Sequence, residues 1–348
     1  MSVARLALLL VLAACSANSG AQPSPVATSS SSAKAQYAFI CSVPVLWFNE
    51  DPRVDGKTGF VNFPAGSLST STAILPAPAQ LTLSFSYDQA VKRWLGVRHE
   101  AIAPDGLHYA YAEYDPPGPN DGKAAIGSAG RVHVTDAQTG ADRVIYSGSP
   151  TFSVVDFTAS GLYLARFGAS IGGSGRRGLY LIDPAGGTPR LVPASDVQLD
   201  AGGWQVLNGG GAWGTRFSEG GAMWSGNELV RLDMTTGEIV TWLTVPTDEA
   251  LTVLGFDAGR PLVTSRLAIT STGQSAQISV RLMAGPEQSR QLYSSDATAP
   301  GELGVADSHG IWMGGAGSIW LYQPESGLQP IIVFNDPNTV VQVGGACA

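Results

Sequence analysis

Three arginines, Arg166, Arg216 and Arg266, recur at intervals of about fifty residues. The first two share a local frame, Ala165-Arg166-Phe167 and Thr215-Arg216-Phe217, each five residues after a glycine. A guanidinium offers a planar fork of N–H donors, so three of them side by side would hold an anion. Arg266 comes seven residues after Gly259, which predicts a shifted register. The competing reading is three charges at strand ends, solvated or paired locally.

Two glycine-rich segments carry a second set of candidates, GASIGGSGRRG (168–178) and GGWQVLNGGGAWGTRFSEGGAMWSG (202–226). Arg176 and Arg177 in the first, with Trp204, Trp213 and Trp224 in the second, can build a stacking surface for a sugar or peptide. Tryptophan and arginine are the usual anchors of such surfaces. Trp204 and Trp213 also alternate as strand residues do, which reads equally as ordinary core.

The remaining chemistry is thinner. Gly168-Ala169-Ser170-Ile171-Gly172 matches the spacing of a nucleophile elbow, but that motif needs a helix after the turn and none is predicted there. Glu113, Asp115, Asn120 and Asp121 offer oxygen ligands at no calcium-loop spacing, and Glu50, Asp51 and Asp55 are read with the same reserve. The four histidines, His99, His108, His133 and His309, show no zinc pattern. No cofactor or metal is implied.

The elements that must position these residues are strands. The chain has 348 residues with 43 Gly and 22 Pro, and only 14% are charged. This composition suits many short strands joined by tight turns and disfavours long helices. An alternating run, a turn and a second alternating run recur at 83–95, 132–146, 179–192, 229–243, 278–293 and 319–333. Between them stand further hairpins: 99–114, 154–167, 204–217, 251–267 and 303–315. Each repeat of about 47 residues thus holds four strands, a sheet that cannot bury both faces alone. Sheets stacked around an axis bury each other.

Ala103-Pro104-Asp105-Gly106 supplies the turn of the hairpin at 99–114. This turn, with the repeat, resembles the TolB-like β-propellers over roughly residues 60 to 335. The resemblance implies an all-β fold, a β-propeller of six four-stranded blades spanning residues 37–348. The strand-like ends 37–48 and 339–348 close the ring, either finishing the first blade or contributing to a seventh. A pair of β-sandwiches is the alternative architecture.

The chain opens MSVARLALLLVLAACS, a short positive region at Arg5 and an apolar run from Leu6 to Ala14. That run is too short to span a bilayer. It ends in Leu12-Ala13-Ala14-Cys15, which resembles the lipobox of bacterial lipoproteins. The resemblance implies a signal peptide over 1–14, lipidation of Cys15 and an extracytoplasmic location, on the outer membrane in a diderm cell. An ordinary secretory signal cut after Ala21 or beyond is the other reading. Residues 16–36, rich in Ser, Ala and Pro, form with Cys15 a tether that cannot bury enough apolar surface to fold. A flexible chain of that length spans on the order of 25 Å. In an oxidising compartment the remaining cysteines, Cys41 and Cys347, are expected to bridge. Such a bridge makes the first and last strands neighbours.

The net charge of −8 and the lack of a basic cluster exclude a phosphate-tracking surface. The reading is a monomeric, non-enzymatic, protein-binding or scaffolding module of the cell envelope. Its alternatives are a ligand-binding sensor and a propeller enzyme of the lyase or lactonase type acting on envelope saccharides. The available acids, Glu100, Asp156, Asp257 and Asp307, do not share one register, which argues against the enzyme.

Overall fold

The structure is a computed structural model. It describes residues 37–73, 75, 84–115, 129–166, 176–199, 203–217, 226–267, 277–295 and 298–348. Within them most strands group into six successive antiparallel sheets of three or four strands, and two short pairs of strands stand apart. Blade one orders Val340–Val343, Ser42–Phe48, Lys57–Asn62 and Ser67–Ser71, so the last strand of the chain lies beside the first. Blade two has three strands, His108–Tyr114, Gly130–Asp136 and Asp142–Gly148, with a bridge from Ile102 to Tyr109 on its inner edge. Blade three runs Phe152–Thr158, Gly161–Arg166, Leu179–Ile182 and Arg190–Leu191. Blade four runs Trp204–Asn208, Gly211–Arg216, Glu228–Asp233 and Ile239–Thr244. Blade five runs Glu249–Asp257, Arg260–Leu267, Ile278–Gly285 and Gln288–Ser295. Blade six runs Val305–Asp307, Gly310–Gly315, Ser318–Gln323 and Gly327–Val333.

Local chemistry explains the repeat. In blades two and four the outer turn is Asp-x-x-x-Gly. Asp136 Oδ1 accepts the N–H groups of Gln138 and Thr139, and Asp233 Oδ1 accepts those of Thr235 and Thr236. Gly140 (φ 74°) and Gly237 (φ 77°) then take the left-handed conformation that returns the chain. The alternating apolar residues of each strand supply the cores between sheets.

Those cores run in a cycle. Leu162 and Leu164 of blade three pack with Val132 and Val134 of blade two. Val155 and Leu179 meet Trp204 and Val230 of blade four. Trp213 and Leu229 meet Leu251 and Val263 of blade five, and Leu254 and Leu262 meet Ile311 and Trp320 of blade six. Trp312 and Ile319 of blade six then meet Val45, Trp47 and Val341 of blade one. Each fully buried aliphatic side chain contributes about 1.5–3 kcal/mol, so blades two to six and blade one are each stabilised by the next, while Trp94 in the core of blade one and Leu95 in that of blade two bridge the remaining pair. This is the arrangement of a six-bladed β-propeller, and Cys41 is bonded to Cys347 as expected.

Two expectations are corrected. The segment 83–95 is not the outer hairpin of a blade. Among the described residues its short strands Ser86–Asp88 and Arg93–Leu95 form a two-stranded sheet of their own, and the outer hairpin of blade one is formed by Lys57–Asn62 and Ser67–Ser71. The sequence hides that hairpin because its second strand, Ser-Leu-Ser-Thr-Ser, is polar and mostly exposed. The 83–95 hairpin instead wedges beside blade one, where Phe85 and Trp94 pack on Leu46 and Phe48. The opening arm of the hairpin at 99–114 is likewise a 3-10 turn, His99–Ala101, rather than a strand.

Candidate functional site

The innermost segments of five sheets converge on a cavity of about 300 Å³. Blade two supplies Arg98 and Glu100, and blade four Gln205. Blade five supplies Thr252, blade six Glu302, and blade one Gln342. Blade three reaches the same place through Arg98, whose Nη2 donates to the carbonyls of Val154 (3.0 Å) and Val155 (3.2 Å). A propeller places its inner edges around one axis, so residues far apart in sequence meet there.

The electrostatics of this axial cavity are unusual. Burial pushes the Asp156 carboxyl up to about 7, and the nearby charge of Glu100 adds to the rise while Arg98 opposes it. Burial also pushes Glu302 up to about 7, opposed by a hydrogen bond with Gln342. Near neutral pH both carboxyls are divided between protonated and ionised forms. Each can donate or accept a hydrogen bond, or move a proton. Gln205 is held in place by a bond from its Nε2 to Thr215 Oγ1 (2.9 Å).

The two acids read beside Glu100 and Asp156 in the sequence lie elsewhere. Asp257 accepts from Tyr322 Oη (3.1 Å) and pairs with Arg260, tying blade five to blade six. Asp307 accepts from Trp312 Nε1 (2.9 Å) and from the N–H of Cys347 (2.8 Å). Register counted from the turn glycines fails because those glycines are not equivalent: Gly161 is the first residue of its strand, paired with Thr158, whereas Gly259 lies inside the turn between the paired Asp257 and Arg260. Glu302 was missed for another reason. It precedes the inner strand of blade six, in a Pro-Gly-Glu turn with no periodic signal.

The arginines divide. Arg166 and Arg216 end the second strands of blades three and four, each the sixth residue of its strand. Arg266 is the seventh of its strand, so the alternation turns it toward the other face, as the spacing predicted. Arg166 and Arg266 are exposed. Arg216 is committed within its own blade, with Nε 2.5 Å from Glu228 Oε2 and Nη2 3.0 Å from Thr241 Oγ1. No described contact joins the three. Arg176 and Arg177 form a two-residue ladder with Val197 and Gln198, and Arg177 is buried. Trp204 and Trp213 are core residues, each 1% exposed. Trp224, Ser170, Asn120, Asp121 and Cys15 lie outside the described residues. Glu113 and Asp115 face Arg131 at 3.3 and 3.2 Å. The Arg53 guanidinium holds Asp51 down at about 2, and Asp55 accepts the N–H groups of Asn49, Glu50 and Asp51. Cys41, His309 and Cys347 cluster within ligand distance of one another, but the two sulfurs are bonded to each other and offer no thiolate.

No family model and no curated protein matches the chain. Among solved structures, it is similar to TolB from Acinetobacter baumannii at 13% identity and a TM-score of 0.42, covering 86% of this chain and 63% of that one. A protein from Lactobacillus plantarum is similar at 15% identity and a TM-score of 0.49, covering 86% and 99%. An oligogalacturonate lyase in complex with manganese is similar at 12% identity and 0.44, covering 80% and 71%. The chain spans less than two thirds of TolB, and 26% of the tricorn protease that it also resembles. At these scores the likenesses bear no weight for function, and the fold rests on the sheet order and the packing of this chain.

Proposed function

We propose that the chain is an exported, lipid-anchored binding protein of the cell envelope that takes a small hydroxyl-rich ligand into its axial cavity. The carrying observation is the convergence of five inner segments on one cavity that holds Arg98, Glu100, Glu302 and two glutamines. Its volume of about 300 Å³ is that of a small-molecule pocket, and nine of its fifteen lining residues are polar, set beside four valines, a leucine and a phenylalanine. A carboxyl near its midpoint donates to one hydroxyl and accepts from another, which suits a saccharide unit better than a fully charged ion. Cys15 carries the anchor in this reading, and residues 16–36 hold the propeller off the membrane, where an envelope protein reads the loaded state.

The test is calorimetry of the wild-type chain against a saccharide panel at pH 6 and pH 8. Binding is expected to be tighter at pH 6, where Glu302 is protonated. Glu302→Gln, which donates at every pH, should flatten that dependence. No saccharide binding at either pH would sink the ligand reading. Loss of acyl labelling in Cys15→Ser, with labelling of the wild type, checks the anchor.

One observation favours a second reading. Two carboxyls held near 7 beside the same cavity are poised for proton transfer, so the same panel is assayed for product as well as for heat of binding.

A further inference from the structure

Cys41, Cys347 and His309 stand together where blades one and six meet, and their three ligand atoms lie within 4.8 Å of one another. The cluster lies outside the residues that line the axial cavity. Cys41 is buried, while Cys347 and His309 are half-buried.

The two cysteines are held side by side by more than their bond. Ser42 N–H donates to Ala348 O (2.8 Å) and Ala348 N–H to Ser42 O (3.2 Å). Cys41 O accepts from the N–H of Phe63 (2.9 Å), and Cys347 N–H donates to Asp307 Oδ2 (2.8 Å). None of these four hydrogen bonds passes through sulfur. With the sulfur–sulfur bond cut they keep two thiols adjacent, on Cα atoms 5.4 Å apart.

His309 is fixed from three sides. Its N–H donates to Asp307 Oδ1 (2.7 Å), its carbonyl accepts from Gln323 Nε2 (2.9 Å), and its ring lies 4.5 Å from that of Phe39. Its Nδ1 is buried, 3.4 Å from Asp307 Oδ1, and makes no hydrogen bond among the described residues. A carboxylate beside a ligating imidazole is the usual device that orients it. Asp307 therefore positions two of the three groups, the imidazole and Cys347.

Two thiolates and an imidazole are a ligand set for zinc. The two thiolates also neutralise a divalent cation, which favours it where water is partly excluded. Tetrahedral zinc, with bonds of about 2.0–2.3 Å, sets its ligands roughly 3.5–3.8 Å apart. We propose that this cluster is a redox-gated zinc site, closed as the disulfide and opened when a dithiol reductant cuts it. One thiolate of the reductant attacks the sulfur of Cys347, the more exposed of the pair, and expels Cys41. The second thiol of the reductant then displaces Cys347. Two electrons pass from the dithiol to the bond, the dithiol becomes a disulfide, and two protons end on Cys41 and Cys347. Zinc binding returns both protons to solvent, and a water takes the fourth position.

The test uses the full chain carrying Cys15→Ser, which leaves these two cysteines alone. Cobalt(II) is the probe, titrated with and without a thiol-free phosphine reductant, while near-UV circular dichroism follows the fold. The reduced chain should keep its near-UV spectrum and bind one cobalt, with a thiolate-to-cobalt charge-transfer band and the strong visible bands of a tetrahedral site. Zinc should displace the cobalt and shield both thiols from alkylation. The oxidised chain should show neither band and bind at least tenfold more weakly. His309→Gln keeps both thiols and should lose at least tenfold in cobalt affinity, its fold being checked in the oxidised form. Equal cobalt binding by reduced and oxidised chains overturns the proposal without any variant. So does loss of the near-UV spectrum on reduction, or a bond that dithiothreitol leaves intact in the folded chain. Unchanged affinity in His309→Gln overturns it as well.

Discussion

Cys41 and Cys347 are bonded across a sequence separation of 306, with their Cα atoms 5.4 Å apart. The bond does not stand alone. Ser42 and Ala348 exchange both backbone hydrogen bonds beside it, at 2.8 and 3.2 Å, and Asp307 of blade six holds the N–H of Cys347. The start of the first strand and the C-terminal residues therefore meet beside the strand ladder and also touch the neighbouring blade.

Removing this link should act through the unfolded chain. The loop-entropy relation gives a ceiling of about 5–6 kcal/mol for so long a loop, and native disulfides typically contribute about 2–5 kcal/mol. The double variant Cys41→Ala/Cys347→Ala is expected to fold with an unfolding free energy lower by that amount, read as a lower denaturant midpoint at unchanged m-value. A midpoint unchanged from the oxidised wild type would show that the ladder alone restrains the ends.

Closure between blades six and one rests on close backbone approach. A Cβ placed on Gly314 would lie 2.0 Å from the carbonyl oxygen of Val341, on the innermost strand of blade one. Gly317 N–H also donates to Thr339 O at 2.6 Å. Gly314→Ala should destabilise the fold by about 1–3 kcal/mol through overpacking, read as a shift in thermal midpoint. An alanine there without effect would mean that the two blades pack less closely than described.

Glu302 and Asp156 set a pH dependence of stability with a definite sign. Both carboxyls are raised to about 7 in the folded chain, from ordinary values near 4. Below about pH 4 they are protonated in both states and have no effect. Between about pH 4 and 7 the unfolded chain releases their protons while the folded chain keeps them, so stability falls as pH rises, and it levels off above 7. Urea midpoints measured from pH 4.5 to 8 should show this decline. Glu302→Gln should make it shallower and be the more stable protein at pH 8. A decline of equal depth in the variant would remove Glu302 from the cavity's electrostatics.

The two arginines in the shared frame should respond alike to mutation in stability but not in their partners. Arg216 is half-exposed and paired with Glu228, so Arg216→Ala should cost about 1 kcal/mol or less. Arg166→Ala should fall within about 0.5 kcal/mol of the wild type. If either variant loses affinity for sulfate in a titration, the rim binds anions after all.

The sheet repeat was readable because turn chemistry and alternation are local. Asp136 to Gly140 and Asp233 to Gly237 announce their hairpins without help from the rest of the chain. The outer hairpin of blade one was not readable, since Ser67–Ser71 is polar and owes its place to pairing with Lys57–Asn62. Trp204 and Trp213 were ambiguous for the same reason in reverse. An alternating aromatic residue fits either a core or a binding face, and only the neighbouring blade settles which.

The sequence by itself determined the all-β class, the period of the blades, the hairpin turns and the meeting of the two cysteines, because each depends on short-range geometry or on pairing arithmetic. Only the tertiary structure decided what gathers on the axis. Arg98, Glu302 and Gln342, with Asp156 beside Arg98 and Glu100, come from four different inner segments that lie far apart in the chain. The raised carboxyls of Glu302 and Asp156 arise from burial, to which the charge of Glu100 adds at Asp156, and neither burial nor that neighbour is visible in the sequence.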